Sequence, residues 1–273
     1  MSLLHILILS LVQGITEFLP ISSSGHLILV WEGLARFSEL PPGQSESERL
    51  ILDIAVHVGT LGAVCAYFWR DVTRMVGGLG RLLLGQNTPG ARLTLHILVA
   101  TIPVLVAGYL LKDTVETVLR DGRIVAWMTI VFGIVLYLAD RSGMTVRRIE
   151  HMNIGAAVAI GLAQVLALVP GTSRSGITMT AARILGFERA EAARFSLLLS
   201  IPTILGAGTL AGLDLYRSGN VALGLDAAVA AVVAFVCALL AIALMLRWLR
   251  RATFTPFVVY RLILGAALLI WFV

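Results

Sequence analysis

Two short polar segments interrupt a chain that is otherwise strongly apolar. The first is EFLPISSSGHL, residues 17–27, and the second is VPGTSRSGIT, residues 169–178. Together they carry a carboxylate, an arginine, a histidine and several hydroxyl groups. Carboxylate, imidazole and hydroxyl side chains are the groups that proteins use for proton transfer and nucleophilic attack. The two segments are therefore the first candidates for a chemical site.

The second segment has the composition of a phosphate-binding loop. Its polar residues precede a predicted half-helix that begins near Gly176, and a helix N-terminus offers free N–H groups and partial positive charge to an anion. Arg174 adds a planar guanidinium that suits bidentate contact with phosphate. The candidate phosphate ligands are Gly171, Thr172, Ser173 and Ser175 here, and Ser22 and Ser24 in the first segment. Helix capping is the alternative role for each single hydroxyl group.

Gln13 and Glu17 are four residues apart, so they share one face of a helix that ends before Pro20. A carboxylate repels a nearby phosphate unless it is protonated or a cation lies between them. The oxygens of Glu17 and Gln13 therefore suggest a site for Mg²⁺ or Ca²⁺, which would neutralise the phosphate and polarise its P–O bond. The alternative is that Glu17 and Arg174 form a buried ion pair that joins the two segments.

His26 and Ser23 are the remaining candidates for the chemistry. His26 suits a general base, an acid or a nucleophile, and Ser23 is a candidate nucleophile that His26 would activate. The sequence leaves open whether Ser23, His26 or a metal-bound water attacks phosphorus. His57 is a further candidate for lining the site, and Arg261 would pair with a carboxylate or an anionic lipid headgroup.

The composition identifies an integral membrane protein. Of the 273 residues, 58% are apolar and 14% are charged, whereas soluble domains carry about 25% charged residues. The net charge of +5 lies mostly in short connections, so it indicates topology and not nucleic-acid binding. The six predicted membrane spans are 51–69, 93–111, 123–139, 193–213, 221–246 and 255–273.

The apolar segments 3–33 and 153–186 contain the two polar segments and are each predicted to form two half-length helices in a re-entrant hairpin. The pattern Leu19-Pro20-Ile21-Ser22-Ser23 returns about 150 residues later as Val169-Pro170-Gly171-Thr172-Ser173. A single membrane domain, 1–273, would then consist of repeats 1–140 and 151–273. Because each repeat has an odd number of spans, the second is inverted. The predicted fold is all-α, with six transmembrane helices and two re-entrant hairpins.

The arginines predict the orientation of this fold. The connections at 70–92, 140–152, 183–194 and 247–251 lie on one side and carry most of the basic residues. Cytoplasmic loops are enriched in arginine and lysine, so this side is expected to be cytoplasmic, with both termini outside.

The two motifs and the order of the segments resemble the undecaprenyl-diphosphatase family of the bacitracin-resistance type. The family's Glu/Gln-x-x-x-Glu, Phe-Leu-Pro, Ser-Ser and Gly-His pattern appears across residues 13–26. Its Pro-Gly-x-Ser-Arg-Ser-x-x-Thr pattern appears at residues 170–178, and the resemblance extends over essentially the whole chain. It implies a bacterial membrane enzyme that hydrolyses undecaprenyl diphosphate to undecaprenyl phosphate and inorganic phosphate. This recycles the lipid carrier of peptidoglycan synthesis and confers bacitracin resistance.

The resemblance also implies specific roles and partners. The family's roles in metal binding and phosphate chemistry fall on Glu17, Ser23 and His26, and its diphosphate-binding roles fall on Ser173, Arg174 and Thr178. Gln13 replaces a glutamate of many members, and its neutral amide would bind a divalent cation more weakly. A homodimer in the bacterial inner membrane is implied, among membrane lipids, with its site on the periplasmic side.

A transporter or flippase of an anionic lipid is the alternative function, because inverted repeats with broken helices also suit alternating access. Transport requires the phosphate cradle but not the combination of Glu17 and His26 beside it. The presence of both side chains favours an enzyme.

Overall fold

The computed structural model describes residues 3–37, 46–117, 119, 121–143, 145–218 and 224–272. These residues form twelve α-helices: α1 Leu3–Thr16, α2 Ser23–Phe37, α3 Glu46–Tyr67, α4 Trp69–Leu83, α5 Pro89–Leu110, α6 Lys112–Thr117, α7 Gly122–Ser142, α8 Ile154–Val165, α9 Arg174–Ile184, α10 Arg189–Ser218, α11 Gly224–Leu249 and α12 Thr255–Phe272. Two 3₁₀ turns, Ile149–His151 and Leu166–Leu168, complete the secondary structure apart from one isolated bridge between Arg147 and Phe187. The protein is all-helical across the described ranges.

Among the described residues, five helices are individually long and apolar enough to cross a membrane: Pro89–Leu110, Gly122–Ser142, Arg189–Thr209, Gly224–Leu249 and Thr255–Phe272. They correspond to five of the six predicted spans. The remaining predicted span, 51–69, is the apolar part of α3 and counts as a sixth crossing only together with α4. This arrangement is that of an integral membrane protein.

Helix α4 was missed by the sequence prediction, which placed a connection at 70–92. It follows α3 after a bend of 91°. Its exposed apolar side chains include Val76, Leu79 and Leu83, while Asp71 on its other face is buried against Arg194 of α10. An amphipathic helix at right angles to a span is suited to the membrane interface.

The two predicted breaks are confirmed. The first break, residues 17–22, separates α1 from α2, and the second break, residues 169–173, separates α8 and its 3₁₀ turn from α9. Ser22 and Ser173 both have φ 73°, and each side-chain oxygen accepts a hydrogen bond from a backbone N–H of the next helix, that of Gly25 or Gly176. Because these two serines are the caps, α2 and α9 begin two residues earlier than predicted.

Close helix packing brings the breaks to the centre of the bundle. Helix α1 packs on α11 and α8 packs on α5, while α9 contacts both α7 and α10. A Cβ atom at Gly14 would lie 2.6 Å from the Cβ of Cys237 and 2.8 Å from the carbonyl oxygen of Ala234, so only glycine permits this approach. Phe18 is fully buried next to the break. The contact of α1 with α11 therefore fixes the position of Glu17.

Candidate active site

Glu17 is the centre of a polar cluster that both breaks contribute to. One carboxylate oxygen, Oε1, accepts a hydrogen bond from Arg174 Nη2 at 3.0 Å. The other, Oε2, accepts hydrogen bonds from Ser23 Oγ at 2.8 Å and from Gln13 Nε2 at 2.9 Å. The structure therefore brings together four residues that the sequence analysis singled out: Gln13, two residues of the first segment and Arg174 of the second.

The ion pair between Glu17 and Arg174 is nearly enclosed, since their side chains are 8% and 13% exposed. Arg174 also donates from Nη1 to the carbonyl oxygen of Ser196 at 3.2 Å, and its guanidinium lies 6.0 Å from the centre of the Phe18 ring. A buried ion pair is tolerated only where further hydrogen bonds satisfy both groups. The predicted ion-pair alternative is thus present, and it coexists with a hydroxyl group that bonds to the same carboxylate.

Gln13 has one buried polar atom without a partner. Its Nε2 donates to Glu17, but its Oε1 is buried and has no hydrogen-bond partner among the described residues. Buried acceptors are normally satisfied, and Mg²⁺ and Ca²⁺ prefer oxygen ligands. The described part of the chain contains no group of three or more His, Cys, Asp or Glu side chains able to hold a metal. A cation at this position would depend on Glu17 together with neutral oxygens such as Gln13 Oε1; these are oxygen ligands of the type it prefers, although Gln13 presents its Nε2 and not its Oε1 to Glu17 in this structure.

His26 is not bonded to Ser23, the side chain that it was expected to activate. Ser23 donates to Glu17, whereas His26 Nδ1 lies 2.7 Å from the carbonyl oxygen of Ser22 and His26 Nε2 lies 2.6 Å from the hydroxyl of Tyr260. Both ring nitrogens of His26 are therefore hydrogen-bonded. The Glu17 carboxylate, and not the His26 imidazole, is bonded to the Ser23 hydroxyl.

Tyr260 is a site residue that sequence reasoning missed. Besides the hydrogen bond, its ring stacks on His26 with 5.6 Å between ring centres and 7° between ring planes. The carbonyl oxygen of Ser22 can only accept, so Nδ1 of His26 is the donor there, and Nε2 of the neutral ring accepts from the phenol. The sequence signal that could have identified Tyr260 was its position beside Arg261 in an apolar span.

His57 lies at the site, as the sequence suggested. Its Nε2 is 3.9 Å from Glu17 Oε2, and its side chain is 36% exposed. Its Nδ1 lies 2.6 Å from the backbone oxygen of Asp53, which fixes the ring orientation. Ser24 is exposed, and Ser23 and His26 are half-buried. Together with His57, these side chains form the accessible face of the cluster.

The candidates around the second break lie deeper in the protein. Ser175 Oγ donates to the Leu19 carbonyl at 2.9 Å and thereby joins the two breaks. Thr178 Oγ1 lies 2.7 Å from Ser196 Oγ. Ser173 caps α9, while Thr172 Oγ1 is buried without a hydrogen-bond partner in the described residues. Most of these hydroxyl groups shape the break, whereas the hydroxyl group of Thr172 is unpaired but fully buried.

Gly171 is set by packing. Its φ of 94° is a conformation that side chains rarely adopt, and a Cβ there would collide with the backbone of Val125 in α7. Its carbonyl oxygen accepts from Arg261 Nη2 at 2.9 Å. The glycine therefore brings the second break against α7.

Arg261 has a role different from the predicted one. It is fully buried, and among the described residues its hydrogen bonds go to backbone carbonyl oxygens and not to a carboxylate. Its acceptors are the carbonyl oxygens of Pro20, Met128, Thr129, Gly171 and Thr172, at 2.9 to 3.3 Å. The Arg261 guanidinium therefore fixes the positions of both breaks and of α7 relative to one another.

Comparison with known proteins was informative over nearly the whole chain. Residues 6–267 match the family model described as bacitracin resistance protein BacA. The chain is 52% identical over 271 residues to undecaprenyl-diphosphatase 1 of Rhodospirillum rubrum, covering 98% of this chain and 95% of that protein. It is 49% identical over 271 residues to the undecaprenyl-diphosphatase of Ruegeria pomeroyi, with 98% of each chain covered. It is 44% identical over 277 residues to the undecaprenyl-diphosphatase of Saccharophagus degradans, with both chains fully covered.

Proposed function

The chain belongs to the bacitracin resistance protein BacA family and is an undecaprenyl-diphosphatase, and from this premise we propose that its chemistry takes place at the Glu17–Arg174 centre. The enzyme hydrolyses undecaprenyl diphosphate to undecaprenyl phosphate and inorganic phosphate. This activity recycles the lipid carrier of peptidoglycan synthesis, which is consistent with bacitracin resistance. The observation that supports the location is the contact of Glu17 with Ser23 and with Arg174 from the opposite break.

Arg174 is proposed to bind the diphosphate. Its guanidinium has five N–H donors, and the structure uses Nη1 for Ser196 and Nη2 for Glu17. The remaining donors can contact phosphoryl oxygens, and their positive charge stabilises the charge that develops during transfer. Ser24 is the additional hydroxyl group proposed to contact the substrate, because it is exposed, whereas the hydroxyl group of Thr172 is enclosed in the protein.

Ser23 is proposed as the nucleophile and Glu17 as its base. The 2.8 Å hydrogen bond places the carboxylate to accept the proton as Oγ bonds to the terminal phosphorus and the bond to the bridging oxygen breaks. The bridging oxygen leaves with undecaprenyl phosphate. Water then cleaves the phosphoserine, releasing inorganic phosphate and restoring the hydroxyl. His26, held by Tyr260, and His57 lie at the accessible face and can exchange protons there.

A Mg²⁺ or Ca²⁺ ion is proposed to be held by oxygens of Glu17 and Gln13. Bound there, it would neutralise phosphate charge and polarise the P–O bond. The neutral amide of Gln13 predicts weaker binding than two carboxylates would give.

We infer that the two broken segments are re-entrant hairpins within inverted repeats 1–140 and 151–273. Support comes from the matching backbone of Ser22 and Ser173 and from the paired contacts of α1 with α11 and of α8 with α5. The protein is proposed to lie in the bacterial inner membrane, with its termini and site on the periplasmic side, and to form a homodimer.

The first experiment measures phosphate release from undecaprenyl diphosphate by purified protein in detergent, with Mg²⁺, Ca²⁺ or chelator. The wild type is compared with Glu17→Ala, Ser23→Ala, His26→Ala and Arg174→Ala. We expect release by the wild type with a cation, and loss of release in chelator and in the Glu17 and Arg174 variants. A fully active Ser23→Ala variant would assign the attack to water. A folded wild type that releases no phosphate with any cation would instead direct attention to lipid translocation.

A further inference from the structure

A large groove lies on the side of the first break opposite the polar cluster. The proposed chemistry does not use it. The groove has a volume of about 1340 Å³ and is lined mainly by apolar side chains of α11, including Leu240 and Leu244, with Phe257 from the first turn of α12. Ile15 and Leu19, which flank Glu17, close one end of it. Arg247, Arg250 and Arg251 line the other end.

The three arginines lie at the membrane surface. Each span crosses once, so α3, α7 and α11 all end on one side of the bundle, and Arg247 belongs to the last turn of α11. Trp248 lies between the arginines, is 47% exposed, and donates from Nε1 to the Thr253 carbonyl at 2.9 Å. A half-exposed, hydrogen-bonded tryptophan is typical of the interface between lipid tails and headgroups.

These arginines differ from others at the same side of the bundle. Arg148, Arg183, Arg189 and Arg194 each form an ion pair with a carboxylate. Arg247, Arg250 and Arg251 are exposed and make no ion pair, side-chain hydrogen bond or aromatic contact with the described residues. Three uncompensated cations within five residues attract an anion more strongly than isolated cations do.

The connection that carries the arginines is fixed in place. The backbone N–H of Phe254 donates to Asp140 Oδ2 at 3.1 Å, and Asp140 also accepts from Arg183 and Arg189. The arginines are therefore presented from a rigid position beside the groove.

The length of the groove selects its occupant. It extends along α11 from Cys237 to Arg250, about 20 Å at 1.5 Å per residue. This is the depth of one leaflet with its headgroup region, since a whole bilayer measures about 40 Å with its headgroups. The acyl chains of a phospholipid extend over one leaflet, whereas the undecaprenyl chain is far longer.

We propose that this groove binds an anionic phospholipid of the leaflet on the arginine-rich side. Its acyl chains lie along the apolar side chains of α11, and its phosphate lies among Arg247, Arg250 and Arg251. The lipid would contact Ile15 and Leu19, so it would support the first break from the side opposite the polar cluster.

The test compares lipid retention by native mass spectrometry of the purified full chain. Detergent micelles contain equal amounts of phosphatidylglycerol and phosphatidylcholine with the same acyl chains. We expect the wild type to retain phosphatidylglycerol preferentially. In the R247Q/R250Q/R251Q variant its affinity should fall roughly fivefold for each arginine removed. Phosphate release and thermal unfolding confirm that each variant is folded.

Two further variants separate the groove from general electrostatics. R81Q/R92Q/R141Q removes the same charge from the same side but at residues that do not line the groove, and should keep the wild-type preference. Ala243→Trp fills the groove without changing charge, and should reduce retention of phosphatidylglycerol. Equal losses in both triple variants, no preference in the wild type, or full retention by Ala243→Trp would overturn the proposal. So would a wild-type dimer that Ala243→Trp converts to monomers, because a second copy would then occupy the groove.

Discussion

The first and second breaks share a backbone design but differ in what their side chains do. In each, a serine with φ 73° caps the following helix, and a second serine lies two residues later, with Oγ–Oγ distances of 3.3 Å between Ser22 and Ser24 and 3.2 Å between Ser173 and Ser175. In the second break the hydroxyl groups are buried. In the first, Ser24 is exposed and Ser23 bonds to a carboxylate.

This difference between the breaks indicates that the second supports the structure, whereas the first takes part in the chemistry. The buried, hydrogen-bonded hydroxyl groups of Ser173 and Ser175 have little freedom to react, but they fix the direction of α9 and hence of Arg174. The first break keeps its hydroxyl groups near an accessible face and beside a base. The same local fold can therefore serve as a scaffold in one place and as a reactive loop in the other.

The largest effect is expected from Glu17→Gln, which removes the charge that links the breaks. The amide can neither accept the proton of Ser23 nor pair with Arg174 as an ion. Initial rates of phosphate release should fall roughly 100- to 10,000-fold, the usual contribution of a positioned base. Asp71→Asn is the matched control, because Asp71 is another buried carboxylate paired with an arginine but lies on α4. A Glu17→Gln enzyme with the wild-type rate would contradict the proposed centre.

Arg261→Met tests the frame that both breaks share. The substitution removes the guanidinium donor from the buried carbonyl oxygens of Pro20, Gly171 and Thr172, of which Gly171 keeps a 3.4 Å hydrogen bond from Thr129 Oγ1. Each such group costs about 1–3 kcal/mol, so we expect the free energy of unfolding to fall by about 3 kcal/mol or more. Thermal unfolding in detergent measures this, and Arg261→Lys should recover only part of the loss because it has fewer donors. Unchanged stability would show that the breaks are held by other contacts.

Paired substitutions test whether the breaks are structurally equivalent. Ser22→Ala and Ser173→Ala each remove one helix cap, so each should lower the free energy of unfolding by about 1 kcal/mol. Phosphate release should be affected no more by one than by the other. If only one variant is destabilised, the two caps contribute unequally to the free energy of unfolding despite their shared φ and hydrogen bond.

The smallest effect is expected from Tyr260→Phe, which acts on the first break alone. The variant keeps the ring that stacks on His26 but removes the hydroxyl bonded to Nε2. Loss of one neutral hydrogen bond corresponds to about 0.5–1.5 kcal/mol, or roughly a two- to tenfold lower kcat. Steady-state rates provide the test, with KM expected to stay unchanged. A loss as large as that of His26→Ala would give Tyr260 a direct role in the chemistry.

Much of the architecture was predictable from the sequence. Apolar length identified the membrane spans, and Pro20 and Pro170 with their serines located the two breaks. These features depend on the backbone and on neighbouring residues, which is why they are readable locally. The motifs also singled out Glu17, Ser23 and Arg174, which the structure brings together. The metal, the repeat boundaries and the homodimer stay predictions.

Tertiary structure decided the pairings. Glu17 and Arg174 are 157 residues apart, His26 and Tyr260 are 234 apart, and Pro20 and Arg261 are 241 apart. The sequence predicted that Ser23 pairs with His26. In the structure, the packing of α12 places Tyr260 against His26, and Ser23 is hydrogen-bonded to Glu17 instead. The sequence determined which polar groups enter the membrane, because their burial is costly and local rules break the helices around them. Only helix packing decided which of those groups meet, because hydrogen bonds between distant segments form only where the packed helices bring donor and acceptor together.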